Sequence, residues 1–132
     1  MPAPPAIHGR KMQYIGVDII EIARVHEVIE RWGDRFLRRV YTEPELKRYR
    51  ESPSSLAVRF AGKEAVVKAL GTSESGIGWK DIEILAEPDG RPVVNLYRRA
   101  KEYADGLGLA GMDISLSHSR EYAIAFVVGE KG

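Results

Sequence analysis

Apolar positions along this 132-residue chain recur with two periods, and the change from one to the other divides it into strands and helices. Tyr14-Ile15-Gly16-Val17-Asp18-Ile19-Ile20 is β-branched and apolar apart from one acid, the composition of a strand. Alternation puts Ile15, Val17 and Ile19 on one face and Gly16, Asp18 and Ile20 on the other. From residue 22 to 40, Ile22, Val25, Ile29, Trp32 and Phe36 recur at three- and four-residue steps, which predicts an amphipathic helix bent or divided at Gly33. Thr42-Glu43-Pro44-Glu45 is a capping box with proline in the first turn and opens a short helix to about Arg50. The next helix starts at a Ser54 or Ser55 cap and ends at Gly71. Thr72 to Gly78, with two glycines and two serines, is a flexible loop, either a plain connection or a segment that closes over a ligand. Asp81 to Leu85 and Val93 to Leu96 are strands joined by the turn Pro88-Asp89-Gly90-Arg91-Pro92, and a helix runs from about Tyr97 to Leu107. Asp113 to Ser119 and Tyr122 to Val128 form a hairpin across Arg120-Glu121. The predicted fold class is α+β, with a mainly antiparallel sheet packed against a long helix, and without internal repeats.

Charges on the long helix, Arg59-Phe60-Ala61-Gly62-Lys63-Glu64-Ala65-Val66-Val67-Lys68-Ala69-Leu70, fall in two pairs one turn apart, Glu64 with Lys68 and Arg59 with Lys63. Ala61, Ala65 and Ala69 keep a neighbouring face narrow enough for another backbone or a ligand to approach. One carboxylate among three cations suits a phosphorylated ligand with a divalent metal; the competing reading is an ordinary exposed ion pair, worth a few tenths of a kcal/mol. Asp18 has the same two sides. An acid on a buried strand requires a cation, which is either an arginine or lysine or a metal ion, unless the strand is an edge that leaves it in water. Gly16 beside it leaves room for something to bind. In the hairpin, Ser115, Ser117 and Ser119 share one face and Ile114, Leu116 and His118 the other, so His118 is either a hydrogen-bonded core residue or a contact to phosphate or ribose.

Taken in order, Gly16-Val17-Asp18-Ile19-Ile20-Glu21-Ile22, the Arg59 to Lys68 run, Asp81-Ile82-Glu83-Ile84 and Ser117-His118-Ser119 resemble the holo-acyl-carrier-protein synthases, the small phosphopantetheinyl transferases, over roughly residues 13 to 129. That family usually carries alanine where this chain has Gly62, a change of about 1 kcal/mol in helix propensity. The resemblance implies the 4′-phosphopantetheinyl transferase fold and a transfer of 4′-phosphopantetheine from coenzyme A to a serine of apo acyl carrier protein, in fatty acid biosynthesis. It implies Mg²⁺, with Mn²⁺ as a substitute, held by Asp18 and Glu64. Lys68 is then the residue that neutralises the pyrophosphate, and Arg59, Lys63, Ser117, His118 and Ser119 are the candidates for the nucleotide phosphates and ribose. Glu64 itself and a metal-bound water both fit as acceptor of the serine proton. The resemblance also implies a homotrimer with sites between subunits, and a carrier-docking role for Arg24, Arg31 and Arg35. The alternative is a non-catalytic coenzyme A or nucleotide-binding module.

Composition narrows the picture further. Charged residues are 30% and nearly balanced, with a formal net charge of +1, which does not point to nucleic acid. Residues 22 to 50 nevertheless hold eight basic against five acidic side chains, either a solvated helical face or a docking surface for an acidic protein. The chain has no cysteine, which excludes disulfides, thiolate metal sites and a cysteine nucleophile. No apolar stretch reaches the length of a membrane span, and the Pro-rich start lacks the apolar segment of a signal peptide, so the expected location is cytoplasmic. Residues 1–12 are expected to be a disordered or loosely packed extension and residues 13–132 the folded domain.

Overall fold

In the computed structural model, residues 13–71 and 76–132 are described. The expected N-terminal extension and residues 72–75 of the expected loop lie outside the described residues. In chain order the elements are β1 (Gln13–Glu21), α1 (Ile22–Trp32), α2 (Asp34–Val40), α3 (Glu43–Tyr49), α4 (Pro53–Leu70), a 3₁₀ turn (Trp79–Asp81), β2 (Ile82–Ala86), β3 (Pro92–Leu96), α5 (Arg98–Gly106), β4 (Leu109–His118) and β5 (Tyr122–Lys131).

Local chemistry accounts for most of the boundaries. Gly33, at φ 54°, divides the expected long helix into α1 and α2, a conformation that favours glycine. Trp32, the last residue of α1, does not join the core. It is half exposed, beside the Arg31 guanidinium at 5.6 Å. At α3 both halves of the capping box form, with Glu45 N–H donating to Thr42 Oγ1 and Thr42 N–H to Glu45 Oε1. The cap of α4 is Ser52, not Ser54 or Ser55, because Pro53 takes the first helical position, where a missing N–H costs nothing. Gly71 ends α4 in the left-handed region.

Strands β1, β5 and β4 form one antiparallel sheet in the order β1-β5-β4. Among the described residues β2 and β3 pair only with each other, so the expected antiparallel sheet is divided in two. α4 lies across the inner face of the three-stranded sheet and packs on β2 with its other side, so it is buried nearly all round. The largest core cluster joins Ala61, Ala65, Val66 and Ala69 of α4 to Ile82 and Ile84 of β2 and Ala125 and Val127 of β5. Contact between α4 and β1 is as close as backbones permit. A Cβ on Gly16 would stand 1.9 Å from the Ala65 carbonyl oxygen. The space beside Asp18 is therefore filled by the helix, and the narrow alanine face receives the β1 backbone. On the opposite side of the sheet Ile15, Val17, Ile19, Ile124 and Phe126 are each 40–58% exposed, an uncovered apolar surface.

Candidate active site at the crossing of the first strand and the long helix

The β1–α4 crossing that Gly16 permits brings together Asp18, Glu64 and Lys68, two inward or helix-borne carboxylates and one cation. Lys68 Nζ donates to Asp18 Oδ1 at 2.8 Å and to the Val17 carbonyl at 3.3 Å. Lys68, one turn from Glu64, thus bonds to the strand. Lys68 remains half exposed, its ammonium held in the charged form chiefly by the Asp18 hydrogen bond. Asp18 Oδ2 is buried and has no hydrogen-bond partner among the described residues. Burial pushes the Glu64 carboxyl above the ordinary value, the Asp18 charge pushes it further, and Lys68 opposes both.

An orphaned carboxylate oxygen beside a second, electrostatically stressed carboxylate is a donor set with too little positive charge. These residues fit a hard divalent cation, which would satisfy Asp18 Oδ2 and relieve the repulsion felt by Glu64. Among the described residues no three of His, Cys, Asp and Glu gather, so a cation held here would take two protein carboxylates and draw its other ligands from elsewhere.

Two of the expected ligand-binding cations lie in the interior of the chain. Lys63 is fully buried, with its ammonium engaged by Glu45 and by the Trp79 and Ile82 carbonyls. Arg59 is buried too: Nε donates to the Ile84 carbonyl, Nη1 to the Ser55 carbonyl, and Cζ lies 3.6 Å from the Tyr49 ring centre. Both tie α4 to its neighbours in the interior. At the hairpin tip, Ser117, His118 and Ser119 are exposed. Ser119 Oγ accepts from Glu121 and Tyr122 N–H and so belongs to the turn. His118 is not a core residue; its closest polar contact is the Ser119 carbonyl at 3.4 Å. His118 pairs with Ala123, which pairs with Ile20, so within one chain it stands two strand spacings, about 10 Å, from β1.

Arg24, Arg31 and Arg35 are exposed on α1 and α2. Arg24 borders a groove of about 430 Å³ lined by Ile19, Val25, Val28, Phe36, Phe60 and Tyr122.

A family model described as the 4′-phosphopantetheinyl transferase superfamily matches residues 14–127. This chain belongs to that superfamily. It is 47% identical over 125 residues to the holo-[acyl-carrier-protein] synthase of Herpetosiphon aurantiacus, covering 89% of this chain and 98% of that one. It is 50% identical over 119 residues to a Dehalococcoides mccartyi holo-[acyl-carrier-protein] synthase, covering 90% and 99%. Among solved structures it resembles the Neisseria meningitidis holo-[acyl-carrier-protein] synthase, with a TM-score of 0.83 at 31% identity over 91% of this chain and all of that one. It also resembles the Helicobacter pylori holo-[acyl-carrier-protein] synthase in complex with coenzyme A, with a TM-score of 0.78 at 34% identity over 87% and 98%.

For this phosphopantetheinyl transferase, sequence reasoning missed the apolar groove beside Arg24. Phe60 lies inside the signature run and Phe36 on the apolar stripe, so both were visible as core-type residues. Their convergence with Ile19 and Tyr122 is a tertiary fact without a local signal.

Proposed function

We propose that this chain transfers 4′-phosphopantetheine from coenzyme A to a serine of apo acyl carrier protein in fatty acid biosynthesis, with a divalent cation, Mg²⁺ or in its place Mn²⁺, held by Asp18 and Glu64. The observation that carries this reading is the buried, unpartnered Asp18 Oδ2 beside Glu64 and Lys68. When bound, the cation supplies Lewis-acid stabilisation of the pyrophosphate oxygens. Lys68, the half-exposed ammonium at the rim, pairs with the pyrophosphate as charge accumulates on the leaving side. The carrier serine oxygen forms a bond to the pantetheine-side phosphorus, and the bond from that phosphorus to the bridging oxygen breaks, releasing adenosine 3′,5′-bisphosphate. Glu64 is the protein group within the site that can hold the serine proton, and a water on the cation is the other candidate.

The basic faces of α1 and α2 beside an apolar groove fit an amphipathic acidic helix, with Arg24, Arg31 and Arg35 meeting its charges and the groove taking an apolar side chain. The chain is taken to assemble as three copies with sites between subunits, and the uncovered apolar sheet face supports association of copies. In that assembly a neighbour's His118 and Ser117 reach the nucleotide portion of coenzyme A. Both substrates imply a cytoplasmic reaction.

Intact-protein mass spectrometry tests the reading. Apo acyl carrier protein incubated with this protein, coenzyme A and Mg²⁺ gains the mass of one phosphopantetheine, and samples with EDTA or Glu64→Ala show no gain. No gain with wild type despite bound coenzyme A contradicts it.

A further inference from the structure

Lys63 directly precedes Glu64 on α4, but its side chain leaves the helix into the interior. Its ammonium donates to Glu45 Oε1 at 2.8 Å, to the Trp79 carbonyl at 3.1 Å and to the Ile82 carbonyl. Three donors thus meet three acceptors on three segments: the first turn of α3, the 3₁₀ turn and β2. Glu45 is anchored in turn, since Oε1 accepts from Thr42 N–H and Oε2 from Ile84 N–H, each at 2.8 Å. Thr42 itself donates through Oγ1 to Glu83 Oε2 at 2.6 Å.

A sealed ion pair is a poor device for stability alone, because desolvation offsets much of the attraction and apolar side chains of similar volume do as well. Against β1, Ala65 and Ala69 of α4 pack over Gly16, and this close contact fixes the separation of helix and strand. Directed bonds from one ammonium to three fixed acceptors resist rotation strongly. A rotation of α4 by about 10° moves a side-chain tip about 5–6 Å from its axis by about 1 Å. Misplacement of that size costs on the order of a hundredfold in rate.

From this geometry we infer that Lys63, through Glu45, is a positioning residue: it sets the rotation of α4 and with it the placement of the Glu64 carboxylate against Asp18. The inference rests on the proposed role of Asp18 and Glu64 as the cation-holding pair. Its test compares wild type with Lys63→Met/Glu45→Gln, which removes both charges and keeps an acceptor for the Ile84 N–H. The readouts are thermal unfolding, Mn²⁺ binding in the presence of coenzyme A followed by electron paramagnetic resonance, and kcat and KM for the carrier.

The expected result is a folded protein that binds Mn²⁺ about tenfold more weakly and loses about tenfold or more in kcat, with KM for the carrier unchanged. A folded variant with wild-type Mn²⁺ affinity and kcat overturns the inference. If the double variant does not fold, Glu45→Asp carries the test, because it keeps both charges and shortens the tether by one methylene. Weakened Mn²⁺ binding in Glu45→Asp supports a positioning role, and unchanged binding overturns it. Wild type that neither binds Mn²⁺ nor transfers phosphopantetheine removes the functional reading itself, and the inference falls with it.

Discussion

Two lysine–carboxylate contacts leave α4 on different sides, and both have a nitrogen–oxygen distance of 2.8 Å. Lys63 and Glu45 are wholly buried, and every polar atom of the pair has a partner. Lys68 and Asp18 sit at the rim, where the lysine is 55% exposed and one Asp18 oxygen is buried and orphaned. Distance and charge are therefore the same in the two pairs, and satisfaction separates them. The sealed pair is complete and can only hold the helix. The open pair is incomplete, and under the proposed function a divalent cation would supply its missing positive charge.

The largest effect that sharpens this contrast is on stability. Lys63→Ala leaves Glu45 buried without its cation and is expected to cost about 3–5 kcal/mol. Lys68→Ala, at an exposed position, is expected to cost less than about 1 kcal/mol. Urea unfolding measures both, and equal losses would break the comparison. Next is catalysis. Glu64→Gln keeps the shape of the side chain and removes its charge, with an expected loss of about 10²–10³-fold in kcat. Steady-state kinetics with apo carrier would decide it, and a loss below about threefold would place the chemistry elsewhere.

A smaller effect concerns pH. The Glu64 carboxyl is raised in the folded protein by burial first and the Asp18 charge second. Between its ordinary value of 4.5 and the raised one, the folded state holds a proton that the unfolded state has lost, so this group lowers stability as pH rises. Metal-free wild type should therefore melt below Glu64→Gln at neutral and alkaline pH, with the gap closing as the pH falls toward 4.5. Melting curves across pH for both proteins check the sign, and a gap that widens on acidification would refute it.

The smallest effect lies at Gly62, where an added Cβ would meet Ile84 Cδ1 at 2.4 Å. Gly62→Ala alone should be close to neutral, because a gain of about 1 kcal/mol in helix propensity is offset by displacement of that methyl. In an Ile84→Val background, which lacks the methyl, the same substitution should stabilise by about 1 kcal/mol. A double-mutant cycle without coupling would contradict the packing described.

What the sequence disclosed follows from the range of the interactions. Gly33, Gly71 and the Thr42–Glu45 capping box act within a few residues, and each was legible with its physical cause. Asp18, Glu64 and Lys68 were legible as a candidate set, from an acid on an apolar strand and charges one helical turn apart. Lys63 was not distinguishable from Lys68, because its acceptors lie 16 to 19 residues away and converge only in the fold. Gly16 announced empty space correctly, but the occupant is α4 and not a ligand. Pro53 was the overlooked local signal, since a proline in the first helical position points to Ser52 as the cap. The separation of β2–β3 from the main sheet depends on strand pairing over long range, which alternation does not encode.

The central claim is that Asp18 and Glu64 hold a divalent cation together with coenzyme A. Titration of free Mn²⁺ by electron paramagnetic resonance, with coenzyme A present, tests it directly in wild type, Asp18→Asn and Glu64→Gln. The account predicts a stoichiometric site in wild type that is weakened at least about tenfold in each variant. Undiminished Mn²⁺ binding in Asp18→Asn, the variant that removes the orphaned carboxylate, would contradict it.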